Sequence, residues 1–301
     1  MDNFLLLPRT LAAALSDSGF AGAFGLTLAC LLLGDEDENG LRRGLQRGTF
    51  YCAVAMLVAG LAQVYLATAT MVGAASLEAV RSQIKPVMLE THAGEVLLAN
   101  LVLVASLLLL VSLRRDWQRR STVWSVLLVL IADAAARAAS GHAASDGDFT
   151  LPEFVQLSHL ISIAVWAGCV LAGGFVVLPR MLQEQRAAHL LAFTRRLSRT
   201  VTFALAVVLL SGTYNSYRGL GGSLRPLAGT QWGILLDIKI LLVVAAVAMG
   251  AASRRMIGKD RILSLKQTTT LATALRFEAA IMLLILTISA WLANSSPANS
   301  G

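Results

Sequence analysis

Residues 96–113 read VLLANLVLVASLLLLVSL, and RRDWQRR follows directly at 114–120. One asparagine and two serines are the only polar side chains in the run. As a helix it would be about 27 Å long at 1.5 Å per residue, close to the roughly 30 Å hydrocarbon core of a bilayer. An outer-membrane strand would be about 10 residues long and would alternate apolar with polar positions, which this run does not do. It is expected to cross a membrane as an α-helix, with its arginines stopping at one surface.

Working outward, seven further segments have the same character: 11–33, 49–72, 122–139, 154–178, 200–217, 233–252 and 275–293, while the quoted run itself extends over 91–113. Of 301 residues, 56% are hydrophobic and 14% charged, and the mean hydropathy is +0.68. A soluble domain would be about one-quarter charged. The expected fold class is an all-α integral membrane protein, a bundle of eight transmembrane helices. No connection is long enough for a separate folded domain, so residues 1–301 are expected to form one polytopic membrane domain. The first segment does not read as a leader: its only basic residue is Arg9, Asp17 interrupts it, and no small-residue cleavage site precedes the DEDE run.

The connections sort by charge. Residues 34–48, 114–121, 180–199 and 254–276 hold 18 of the 25 lysines and arginines. Basic loops stay on the cytoplasmic side, which puts both termini on the external face of the membrane. The net charge of +7 is then topological. No basic stretch carries the aromatic interleaving of a nucleic-acid surface, and no nucleic-acid partner is expected. The sequence has no P-loop, Gly-rich nucleotide turn or hydrolase elbow, so neither an ATP-driven pump nor an enzyme is expected. Cys30, Cys52 and Cys169 fall in apolar segments without a CxxC pair and read as small buried hydrophobes.

With this orientation His92, His142 and His159, three of the four histidines, fall at the external end. Pro86 suits a first helical turn, so the third span is expected to start in the external layer with Met88, His92 and Glu95 on one face, at i, i+4 and i+7. His159 lies about 8 Å inside the fifth span, where an imidazole must be hydrogen-bonded or coordinated. Trp166 follows seven residues on, on the same face. Gly141 can end the fourth helix just before His142. Plainer readings stand beside these: a polar helix end for His92 and Glu95, a solvated loop for His142, an interhelical hydrogen bond for His159. Asp133 and Arg137, four apart, are expected to pair. Asp237 and Lys239, two apart, do not face each other, and each would pair across helices or, for Lys239, snorkel. Glu278 reads as the N-terminal carboxylate of the last helix. Imidazole with carboxylate suits borderline divalent metals, copper(II) most tightly, and a thioether such as Met88 adds affinity for copper(I). The candidate metal ligands are therefore His142, His159, His92 and Glu95, with Met88, Trp166, Asp237, Lys239 and Glu278 behind them.

A series of short motifs carries a resemblance. They are Gly141-His142-Ala143, Leu157-Ser158-His159-Leu160 with Trp166-Ala167-Gly168, Arg196-Leu197-Ser198, Ser211-Gly212-Thr213-Tyr214-Asn215, Trp232-Gly233 with Lys239 beyond, and Arg276-Phe277-Glu278. Over residues 141–293 the chain resembles the copper-resistance protein D family (CopD/PcoD). It departs at Leu197, where the family usually has Phe, at Ala167-Gly168-Cys169, which replaces a Gly-Gly pair, and at Asp237, which replaces an apolar residue. The resemblance implies an eight-helix inner-membrane protein that works with a separate periplasmic copper carrier of the CopC type and moves copper toward the cytoplasm. It also picks out His142 and His159.

Three functions fit the residues. The preferred one is a copper permease that receives the ion at an external histidine site. The second is a b-type haem oxidoreductase subunit, for which one external haem is the limit because only His189 is cytoplasmic. The third is a non-transporting membrane partner in periplasmic copper delivery.

Overall fold

The computed structural model describes residues 2–34, 40–73, 76–114, 116, 117, 119–139, 150–183, 187–221, 227, 230–259 and 265–295. These residues form α1 (Asp2–Leu32), α2 (Leu41–Val72), α3 (Leu77–Glu90), α4 (His92–Leu113), α5 (Arg120–Ala139), α6 (Leu151–Ala172), α7 (Leu178–Gln183), α8 (Ala187–Gly219), α9 (Gln231–Lys259) and α10 (Leu265–Asn294). A π-helical turn, Gly173–Val177, joins α6 to α7 into one continuous span. Eight helices are long and apolar enough to cross a membrane, and no strand occurs among the described residues. The expected all-helical bundle is what forms.

The spans are longer than hydropathy suggests, and mostly at one end. α2 starts at Leu41, α8 at Ala187 and α10 at Leu265, while α9 runs on to Lys259. Much of the basic connections is thus helix. Arg, Lys and Gln are good helix formers, and their stems can lie along apolar surface while the charge stays in water.

Two local expectations are corrected. Pro86 does not open the third span; it lies inside the separate short helix α3. Thr91 breaks the chain there: its Oγ1 accepts from Gly94 N at 3.0 Å, capping α4, and donates to Val87 O at 2.7 Å. Gly94 also lets the two helices close up, because a Cβ there would collide with the Val87 and Met88 backbone. The second correction is Glu278, which is not at a helix start. α10 begins at Leu265, so Glu278 lies about 20 Å along its axis at 1.5 Å per residue.

α1 is the hub. Gly19 and Gly22 receive Met56 and Cys52 of α2, and Gly48 receives Leu26, so α1 and α2 run antiparallel. Gly25 meets Gly168 of α6 so closely that a Cβ on either would strike the other backbone, the small-residue packing expected in lipid. At one end of the bundle the basic side chains close helix ends. Arg42 donates to Trp117 O at 3.2 Å and to Gly34 O, Gln46 donates to Val111 O and Arg114 O at 3.0 Å each, and Arg196 donates to Leu32 O at 3.0 Å. Arg42 and Arg196 place cations at the negative end of α1, and the neutral Gln46 amide serves the carbonyls at the end of α4, which have no partner inside the helix. This is the arginine-rich end. The outward faces are apolar, with Tyr51, Leu61, Leu109, Leu128, Phe203 and Leu241 exposed to what would be lipid.

Candidate functional site: polar side chains inside the bundle

Most of the intramembrane charge gathers in one layer, in the half of the bundle away from the arginine-rich end. Arg137 on α5 is its centre. Its Nε donates to Asp133 Oδ2 at 2.7 Å, Nη1 to Asp17 Oδ1 at 2.9 Å and Nη2 to Ser16 Oγ at 2.8 Å. Its guanidinium carbon also lies 4.9 Å from the Phe20 ring centroid. The Asp133–Arg137 pair was expected from spacing; Asp17, 120 residues away in sequence, was not. Two carboxylates around one guanidinium leave one negative charge over. Lys239 on α9 lies within electrostatic reach of Asp17 and offsets it.

His159 belongs to the same level. α1 and α6 run in the same direction, and Gly25 meets Gly168; eight residues back from that crossing are Asp17 and Leu160. His159 Nδ1 pairs with Ser211 Oγ of α8 at 3.0 Å. The Ser211 hydroxyl has one proton and gives it to Val207 O at 2.6 Å, so its oxygen accepts from Nδ1–H. That fixes the tautomer: Nε2 carries a lone pair and has no protein partner among the described residues. One turn nearer the helix start, Gln156 Oε1 accepts from Asn215 Nδ2 at 2.8 Å. The motif 211–215 is thus the α8 side of a polar ladder to α6. Lys239 is within electrostatic reach of His159 as well.

The remaining candidates are spread out. His92 and Glu95 sit exposed on the first turn of α4, with His92 Nε2 at 3.4 Å from Ala139 O, the last residue of α5. Met88 lies on α3, buried against Val64 and Val87, and so does not share a helix face with them. Trp166 is 1% exposed inside the main core. Asp237 is exposed, and His142 lies outside the described residues. Among the described residues no three His, Cys, Asp or Glu side chains form a group able to hold a metal. Cys30 and Cys169 are buried, as expected of small hydrophobes, while Cys52 is only half-buried.

Glu278 stands apart from the layer, in the half nearer the arginine-rich end, at the interface of α9 and α10. Its Oε1 would lie 3.3 Å from a Cβ built on Gly250. Sequence reading missed its depth because α10 begins at Leu265, in a polar stretch that hydropathy does not mark.

Eight apolar helices with acids, bases and an imidazole held inside them define a multi-pass membrane protein whose interior is built around ionisable groups. Such groups in hydrocarbon mark ion and substrate pathways. The family is shown by two matches. The family model "Copper resistance protein D-like, N-terminal domain" covers residues 5–151 and "Copper resistance protein D" covers residues 191–292. The chain belongs to the copper resistance protein D family, and is a copper-resistance membrane protein. The first match takes in Asp17, Asp133 and Arg137 and the second Ser211, Lys239 and Glu278, while His159 and Trp166 fall between them. No curated protein and no solved structure matches the chain.

Proposed function

We propose that the protein carries copper from the periplasm to the cytoplasm across the bacterial inner membrane, with His159 as the buried ligand that receives the ion inside the bundle. The observation that carries this reading is the Nε2 lone pair of His159, set by the Ser211 bond and presented in a layer that also holds Asp17 and Lys239. A neutral imidazole nitrogen is a good copper ligand in either oxidation state. His142, with His92 and Glu95 at the end of the bundle away from the arginines, would take the ion from a separate carrier of the CopC type. The orientation rests on the arginine-rich end facing the cytoplasm, with both termini periplasmic. Inward movement then runs down the membrane potential, worth about 4.6 kcal/mol per 100 mV for a divalent ion at about 2.3 per charge.

The test is copper uptake by proteoliposomes together with metal analysis of the purified protein. His159→Ala is expected to lower both bound copper and uptake without loss of membrane expression. Unchanged binding and uptake in that variant would remove His159 from the route. A parent protein that binds copper and transports none would leave the non-transporting role.

A further inference from the structure

At the arginine-rich end, α2 and α4 leave a cleft of about 480 Å³ between them. Gln46 ties its two walls together through the bonds to Val111 O and Arg114 O. From α2 the cleft is lined by Arg43 and Arg47, then by Phe50 and Tyr51, whose rings meet edge to face with centroids 5.8 Å apart. From α4 come Val111 and Ser112.

Arg43 and Arg47 are exposed, and among the described residues neither makes a hydrogen bond or an ion pair. Arg42 beside them is turned inward to Trp117 O and Gly34 O. Positions i and i+4 share a helix face with Cβ atoms about 6 Å apart, so the two guanidiniums flank one opening. Like charges at that spacing repel, and no acidic side chain lines the cleft to offset them. The deeper part is apolar. Tyr51 is exposed, and the same stripe of α2 continues with exposed Val58 and Leu61, while α4 continues with exposed Leu109. Along one stripe the surface passes from guanidinium to aromatic ring to aliphatic side chain. A bilayer passes from headgroup to acyl chain in the same order.

A soluble anion would meet only the basic part of this surface. A molecule with a phosphate ester at one end and acyl chains at the other meets all of it, because guanidinium forks match phosphate oxygens. We infer that the cleft between α2 and α4 binds one anionic phospholipid from the leaflet at the arginine-rich end, with its phosphate held by Arg43 and Arg47. Basic pockets between spans at the cytoplasmic surface take acidic headgroups in this way. The lipid bridges α2 and α4 on their outer side, beside the Gln46 bonds. The site shares no residue with the His159 layer and does not rest on the copper reading.

The full-length protein, delipidated in detergent, is titrated with phosphatidylglycerol or with phosphatidylcholine and followed by native mass spectrometry. One phosphatidylglycerol per chain is expected to bind more tightly than phosphatidylcholine. Arg43→Gln and Arg47→Gln should each weaken it about fivefold, the worth of one basic side chain at an anionic surface. Ser112→Trp fills the cleft without changing its charge and should weaken it as well. Arg199→Gln, the same change of charge at an exposed position on α8, should not. Equal affinity for the two lipids overturns the inference, as does unchanged binding in both arginine variants of the cleft. A loss in Arg199→Gln as large as in Arg47→Gln also overturns it, since overall charge and not the cleft would then hold the lipid. Displacement of phosphatidylglycerol by inorganic phosphate would make this a soluble-anion site and sink the lipid assignment. Should an arginine variant fail to fold, Ser112→Trp against Arg199→Gln decides the question.

Discussion

Arg137 reaches Asp133, Asp17 and Ser16 through three hydrogen bonds, whereas Glu278, buried at least as deeply, makes none. Both are charged groups inside a membrane bundle, and they are handled in opposite ways. Around Arg137 the chain supplies its own counter-charges from two helices, α5 and α1, with Lys239 of α9 within electrostatic reach of Asp17. Around Glu278 the one nearby guanidinium is committed to Ser198 and Thr202 on another helix. The first arrangement supplies its own counter-charges, although Asp133 Oδ1 stays buried without a hydrogen-bond partner. The second leaves its carboxylate without a hydrogen bond among the described residues.

That contrast can be broken by experiment, starting with the largest effect. Arg137→Ala strips the counter-charge from two buried carboxylates and is expected to cost about 3–5 kcal/mol, seen as a fall in thermal midpoint or loss of the detergent-extracted peak. A variant as stable as the parent would mean that the layer is not held together by charge. Ser211→Ala is a finer test: it removes the acceptor that fixes the His159 tautomer. Its stability cost is about 1 kcal/mol, and copper affinity should fall. Thr91→Ala removes only the cap between α3 and α4. It should cost about 1 kcal/mol and leave copper binding as before.

The sequence was most legible where one physical requirement acts over many residues. A span such as 96–113 is readable because the bilayer demands a long apolar run whatever it packs against. Asp133 and Arg137 were readable because a helix alone brings i and i+4 together. Asp17 was not, since only the packing of α1 on α5 gives a lone acid in the first span its partner. Glu278 was misplaced because hydropathy marks where apolar residues start, and α10 begins ten residues earlier in a polar stretch. Met88 and His92 were put on one face because spacing assumes a continuous helix, and Thr91 interrupts it.

By itself the sequence determined an eight-span helical membrane protein with its basic residues sorted to alternate connections, because solvent partitioning acts on each segment independently. Only the tertiary structure decided which buried polar groups satisfy one another. It gave His159 its Ser211 and Arg137 its second carboxylate, and it left Glu278 and Ser253 without partners. The reason is that inside hydrocarbon a polar group is satisfied by whatever faces it, and what faces it comes from helices far away in the chain.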